Sequence, residues 1–267
     1  MMIRKTIMTV MLLVATAMTA SAEDMSDGVG VTFRVGYNIG GTTPIGMPAT
    51  IRSLNKYKLR AIYRESPNQC SPTYVSNFTF GVDVNTRFTL RWGVLTGLHF
   101  GGKGMEVDAT VKNYHMTMTQ GGDEIEGYYT GNLVTECDTW ALTLPVMATF
   151  NVSDKVMLKC GPYISYVALK RFKGYVYDGY LRRMLPIGEK IEMGDTEETR
   201  GTFDFSDKMR RLQVGVDVGV DWRIGHRWGA YADLEWGLNG VHHSSFNTIE
   251  QTLYPIYGTL GVIYKLK

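Results

Sequence analysis

His242-His243-Ser244-Ser245, with Glu250 five residues further on, is where a base, hydroxyl nucleophiles and a carboxylate come closest together along the chain. Such a set could cleave or transfer an ester, as lipid-modifying enzymes do. The spacing argues against it. Adjacent histidines on extended chain point to opposite faces, and no interval ties a base to an orienting acid. His115 is a second candidate base, equally without a partner at a fixed spacing. Polar residues capping a connection explain both better, so no catalytic residues are expected. Cys70, Cys137 and Cys160 match no zinc spacing, so no metal or cofactor is expected either. An odd number of cysteines allows at most one disulfide. Cys70 and Cys137, in connections on the same side, are the candidate pair, left open because geometry decides it. Cys160 reads as a small outward-facing residue.

A second set of ionisable residues alternates with apolar ones along the chain. The chain has 267 residues, 44% apolar and 20% charged, with 30 Gly, 16 Tyr and 5 Trp. Its formal charge of +2 comes from Arg4 and Lys5, which leaves basic and acidic residues in balance. That balance argues against nucleic-acid binding. Residues 1–22 read as a secretory signal peptide, with Arg4 and Lys5 before a short apolar run and Ala20-Ser21-Ala22 as the cleavage site. Residues 23–267 read as one domain.

Helical periodicity is scarce, and alternation with period two is long and frequent. Eight segments show it: 29–40, 74–85, 88–101, 139–150, 156–168, 212–224, 228–240 and 254–266. The sixth is the clearest, with Leu212, Val214, Val216, Val218, Val220, Trp222 and Ile224 on one face. Tight turns are predicted near 86–87, 151–155 and 225–227. Long connections fill 41–73, 102–138, 169–208 and 241–253. Short turns at one end and long loops at the other are the layout of an eight-stranded, antiparallel, up-and-down transmembrane β-barrel in a Gram-negative outer membrane, long loops outside.

A half-buried soluble strand alternates too, so the aromatics decide. Phe33, Phe88, Trp92, Phe150, Trp222, Trp228 and Tyr264 lie near the tight turns, and Tyr37, Tyr74, Phe100, Trp140, Tyr166, Trp236 and Tyr254 near the long loops. Ten residues from Trp140 to Phe150 project to roughly 23 Å on a strand tilted near 45°. That is close to the apolar band between two aromatic girdles. The opposite face carries Arg34, Asp83, Arg91, Lys159, Arg211, Asp217, Asp221, Arg223, Asp233 and Glu235, with His99 a further polar member. Eight strands enclose only enough space for side chains, so this charge is expected to neutralise itself inside. A narrow channel for small solutes stays open as an alternative, and a lipid-modifying enzyme as a second.

Leu142-Thr-Leu-Pro-Val-Met-Ala-Thr-Phe150, a short turn and Val156-Met-Leu-Lys-Cys-Gly-Pro-Tyr163 resemble the central pattern of PorT-type outer-membrane β-barrel proteins. Gly97-Leu-His-Phe-Gly-Gly-Lys-Gly104 and Leu234-Glu-Trp-Gly-Leu238 resemble two other stretches of that family. The resemblance covers most strands but not the long loops. It implies an outer-membrane barrel without assigned chemistry, some members being linked to secretion. A bulge is expected at Pro145, which removes a ladder donor. Thr259-x-Gly261-x-x-Tyr264-x-Leu266 resembles the terminal signal read by the barrel-assembly machinery. The remaining expected partners are outer-membrane lipid and other outer-membrane proteins.

Two connections invite a role. Residues 102–138, with Gln120-Gly-Gly-Asp123 midway, read as a hairpin continuing above the membrane. Residues 169–208 open with Lys170, Arg171, Lys173, Arg182 and Arg183 among tyrosines and continue with Glu189, Glu192, Asp195, Glu197 and Glu198. That is either a basic-aromatic binding surface or a solvated hairpin whose halves pair electrostatically. The function expected is non-enzymatic: a scaffold or accessory subunit acting through its loops, within a secretion or uptake assembly.

Overall fold

A computed structural model describes residues 29–43, 71–73, 77–183, 185, 187–243 and 253–266. The proposed leader, Cys70, Tyr74, Ser244, Ser245 and Glu250 lie outside them. Among the described residues all regular structure is β, apart from one 3-10 turn at Ser206–Lys208. The strands are β1 (Val29–Thr43), β2 (Ser71–Thr73), β3 (Phe78–Arg87), β4 (Trp92–Gln120), β5 (Asp123–Asn151), β6 (Val156–Arg183), β7 (Lys190–Met193), β8 (Gly201–Asp204), β9 (Leu212–Arg223), β10 (Trp228–Gly237) and β11 (Tyr254–Lys265). Eight are predicted and eleven are found among the described residues. The additional three are the short β2, β7 and β8, formed within long connections along the edges of β4 and β6.

Pairing is antiparallel throughout. β3, β4, β5, β6, β9, β10 and β11 follow one another, and β1 joins β3 on one side and β11 on the other. The sheet closes on itself, which removes the unpaired edges that an open sheet exposes. Along β1, β3, β9, β10, β11 and the turn-side halves of β4, β5 and β6 one face is apolar and exposed, as at Val35, Leu144, Val146, Val218 and Leu260. The other is polar and buried. This inverts a soluble protein, where exposed apolar surface is patchy and buried charge rare.

The turns are tight and locally satisfied. After β3 the chain reverses over residues 88–91. There the Thr89 hydroxyl oxygen accepts the Trp92 N–H at 2.9 Å, and the Phe88 N–H reaches the Trp92 carbonyl at 3.0 Å. The turn sits two residues later than predicted, which takes Phe88 and Arg91 out of the strands and onto an exposed corner. At the far end of the β4–β5 hairpin Gly121 and Gly122 take φ of 60° and 95°. These are left-handed values that a two-residue hairpin loop requires and that glycine adopts without a Cβ clash.

β4, β5 and β6 run for 29, 29 and 28 residues, against roughly 9–11 for a tilted strand crossing a bilayer. Their loop-side halves form an extension to which β7 and β8 are added. Register shifts mark its base at Trp140/Ala141 and recur at Thr130/Asn132 and Val111/Tyr114. None occurs at Pro145, so the predicted bulge is absent. Ladder pairs are missing opposite Gly97 and Leu98, but the register is unchanged on either side. The Thr96 hydroxyl donates to the Pro145 carbonyl at 2.9 Å, and pairing to β6 resumes without insertion.

Candidate functional site

The lumen is built from the polar face of the closed sheet. Arg34 on β1 lies between Asp83 on β3, at 3.3 Å, and Asp233 on β10, which its other terminal nitrogen contacts. His99 on β4 completes that corner, 2.6 Å from Asp83 and 3.2 Å from Arg34. Lys159 on β6 sits 2.7 Å from Asp221 and 2.9 Å from Asp233, its side chain 0% exposed. Tyr231 packs its ring against Arg34, 4.0 Å from the centroid, and against Lys159 at 5.3 Å. It fits because Gly36 and Gly261 face it: a Cβ on Gly36 would stand 2.2 Å from the Tyr231 hydroxyl. Glycine here is a matter of close approach.

One level higher, Lys103 contacts Glu235 and lies over the rings of Tyr163 and Tyr257. Sequence reading places 102–138 in a loop and so misses Lys103; its odd position in step with His99 was the available signal. Amides and hydroxyls fill the remaining space. Asn38 donates to the Gly102 carbonyl at 2.8 Å, and Thr259 donates to Asn38 at 2.6 Å. Asn77 bonds Gly104 through both amide atoms.

Of the predicted interior charges, Arg34, Asp83, His99, Lys159, Asp217, Asp221, Asp233 and Glu235 are buried. Three are not. Arg91 lies on the exposed turn. Arg211 precedes β9 and is exposed, reaching the Ala168 carbonyl at 3.4 Å. Arg223 is half-buried at the turn-side mouth, bonded to Asn151 at 3.2 Å and to the Asp154 carbonyl at 3.1 Å. Asp217 is the odd member of the buried set. It faces Glu235 across the β9–β10 ladder, its Oδ1 has no hydrogen-bond partner, and it makes no ion pair among the described residues.

Both ends of the lumen are occupied. Toward the turns Leu95, Met147 and Met157 form a small apolar cluster. Beyond it lies a vestibule of about 220 Å3, open at the turn end and bordered by Arg87, Arg223, Arg227 and Lys265. Toward the loops the inward faces of the extension become apolar. Met116, Met118, Tyr129, Leu133, Cys137, Phe172, Val176, Leu181, Phe203 and Met209 form one buried core above the charged network. An ion crossing from end to end would have to pass salt bridges and then a buried apolar core. The burial cost of bare charge opposes that.

The aromatics predicted as girdles lie on the exposed face or at its margins. At the turn end Trp92 packs on Phe150 at 4.8 Å and Trp228 on Tyr264 at 4.8 Å, with Phe33 paired to Tyr264 in register. Trp222 is exposed there too. At the loop end Tyr37 meets Phe78 at 5.5 Å, and Phe80, Phe100 and Trp140 form a run. Tyr166 is exposed, and Trp236 and Tyr254 are half-buried. Cys160 is exposed, and Cys137 is a free thiol inside the extension core. Burial pushes the Cys137 thiol up to about 12, and Asp138 adds to it; such a thiol is inert.

The basic run of 169–208 is partly absorbed by the fold. Lys170 donates to the Asp207 and Met209 carbonyls at 3.0 and 2.8 Å, and Arg182 to the Gly188 carbonyl at 3.2 Å. Arg171 lies 3.7 Å from Glu136 and 4.0 Å from Asp138, on β5 rather than in the acidic half of its own connection. Lys173 and Arg183 stay exposed.

Of the candidate catalytic residues, His115, His242 and His243 are among those described. His115 pairs with the exposed Glu126 at 3.2 Å and rests on Tyr128. His242 packs edge-on against Phe172, 4.7 Å between centroids. Burial, then repulsion from His243 and Lys170, pushes its imidazole down to about 4. Because the folded value lies below the ordinary one near 6.5, the neutral ring belongs to the folded state. Stability from this site is present above about pH 6.5 and is lost as the pH falls toward 4. Limited proteolysis of the extension is therefore expected to accelerate between pH 7.5 and 4.5, and His242→Gln to flatten that dependence.

A family model described as "Outer membrane protein beta-barrel domain" matches residues 20–243. The chain belongs to that family. Its place in the outer-membrane barrel family accounts for the inverted burial, apolar outside and charged within. No curated protein matches the chain. Among solved structures it is similar to Ail, the attachment invasion locus protein of Yersinia pestis, at 9% identity and a TM-score of 0.37, over 91% of this chain and 100% of that one. It is also similar to the translocator domain of autotransporter NalP from Neisseria meningitidis, at 10% identity and 0.24, over 93% and 92%. A third is the Ralstonia pickettii toluene transporter TbuX, at 7% and 0.22, over 90% of each.

Proposed function

We propose that the chain crosses the outer membrane as a closed eight-stranded barrel of PorT type, with its leader removed and its long connections outside. It acts without catalysis, as a scaffold or accessory subunit of a secretion or uptake assembly, through the extension of β4, β5 and β6. One observation carries this reading. The lumen is filled by ion pairs and capped by a separate apolar core, so the extension is an independently packed body presented on a sealed support. A conduit would need an unfilled lumen instead.

Purification from membranes in mild detergent tests it. The intact chain is expected to bring down a stoichiometric outer-membrane partner, and replacing residues 113–131 by a short turn is expected to release that partner. A chain that runs alone, or a partner indifferent to the tip, contradicts the proposal. The channel alternative has its own measurement: purified protein in planar bilayers is expected to give no steady unitary currents.

A further inference from the structure

The two ends of the barrel differ in electrostatic character. At the turn end Arg87, Arg91, Lys155, Arg223, Arg227 and Lys265 stand with the exposed Asp154, while Asp83 and Asp221 border the vestibule from within the lumen and are engaged by Arg34 and Lys159. None of these six cations makes an ion pair among the described residues. At the loop end Arg171, Lys190 and Arg200 have carboxylates within 4.0 Å, while Lys173 and Arg183 are exposed without one among the described residues. The turn-end cations are also spread out. Each of the three turns carries one at or near its end, Arg91, Lys155 and Arg227, and Lys265 closes the circle on β11.

Apolar side chains stand beside them at the same corners. Phe88 and Leu90 precede Arg91, Val152 precedes Lys155, Ile224 precedes Arg227, and Leu266 follows Lys265. All five are exposed, Leu90 at 96%, and they lie just beyond the exposed Trp92, Trp222 and Trp228. A site for a soluble anion would gather its cations into one pocket. Here Arg87, Arg223, Arg227 and Lys265 border the vestibule, but Arg91 and Lys155 stand on other corners outside it, and each of the six has an apolar neighbour, which fits a boundary between hydrocarbon and anionic headgroups.

We infer that the turn-end rim is a docking ring for phosphates of anionic phospholipid in the adjoining leaflet. The apolar corners enter the acyl margin while the neighbouring cations hold headgroups. The inference rests on the barrel crossing a bilayer, but not on which end faces outward.

Tryptophan quenching by chain-brominated lipids tests it within one molecule. Trp140→Phe/Trp236→Phe leaves only the turn-end tryptophans. Trp92→Phe/Trp222→Phe/Trp228→Phe leaves only those at the loop end. Both are refolded into vesicles mixing phosphatidylglycerol with phosphatidylcholine, one or the other brominated. The turn end is expected to prefer phosphatidylglycerol about fivefold or more at low salt, with little preference at the loop end. High salt, which screens exposed charge, and Arg91→Gln/Lys155→Gln/Arg227→Gln/Lys265→Gln are each expected to remove the difference. Equal preference at the two ends, or a preference that survives the four substitutions, overturns the inference. So does loss of the preference on adding water-soluble glycerol phosphate, which would signify a soluble-anion site. Should the fourfold variant fail to insert, the salt titration decides alone. Absence of quenching by either lipid would instead contradict the membrane-spanning reading itself.

Discussion

Lys159→Met is expected to destabilise the barrel by about 3–5 kcal/mol, the usual cost of removing one partner from a buried ion pair. Lys159 touches Asp221 and Asp233 together. Asp233 keeps Arg34, but Asp221 has no other ion pair among the described residues. The loss therefore falls on a single stranded carboxylate. Lys159→Met/Asp221→Leu is expected to recover much of it, because apolar replacement of a whole pair is often close to neutral. Asp217→Asn is expected to be neutral or stabilising, since it relieves repulsion from Glu235 across the ladder and breaks no ion pair. Urea unfolding in lipid vesicles, followed by tryptophan emission, orders the four proteins. A Lys159→Met variant within about 1 kcal/mol of the parent would show that the network contributes little.

The second large effect is confined to the extension. Phe172→Ala is expected to cost that unit about 3–5 kcal/mol, the range for removing a buried aromatic ring. Phe172 is 2% exposed and in ring contact with both Phe205 and His242. Its core is separate from the charged lumen, so the damage is expected to be local. Rapid cleavage within residues 102–208 is expected, with unchanged heat-dependent mobility of the membrane-embedded strands. Loss of the whole barrel instead would mean that the two cores fold as one unit.

The transmembrane part was legible because its chemistry is periodic. A stave with lipid on one face and a packed lumen on the other must alternate, and β9 does so without interruption from Leu212 to Arg223. The same parity located eight buried charges on six different strands. It failed where the backbone leaves strict alternation. Counting residues through the turn that begins at Phe88 places Arg91 inward, whereas it lies on the exposed corner. The extension core was missed because bulges reset the count. On β6 the inward positions are odd through Val167 and then move to Phe172 and Val176, after the shift at Trp140/Ala141. On β4 they are odd at Leu95 and His99 but become even at Met116 and Met118, past the irregularity at Val111/Tyr114. No local residue pattern announces a bulge whose position depends on the partner strand. The pairing of Arg171 with Glu136 and Asp138 was hidden for the same reason, since a cross-strand neighbour is set by register rather than by proximity in sequence.

The apolar face of each stave is expected to meet hydrocarbon. Spin labels placed at Leu212, Val214, Val216, Val218, Val220 and Trp222, in a background lacking the native cysteines, test it directly. In vesicles, collision with oxygen is expected to exceed collision with a water-soluble nickel chelate at the middle positions, the ratio falling toward both ends over one bilayer. A chelate-accessible profile along the whole strand, or a chain that stays monomeric in water without any amphiphile, would contradict the account.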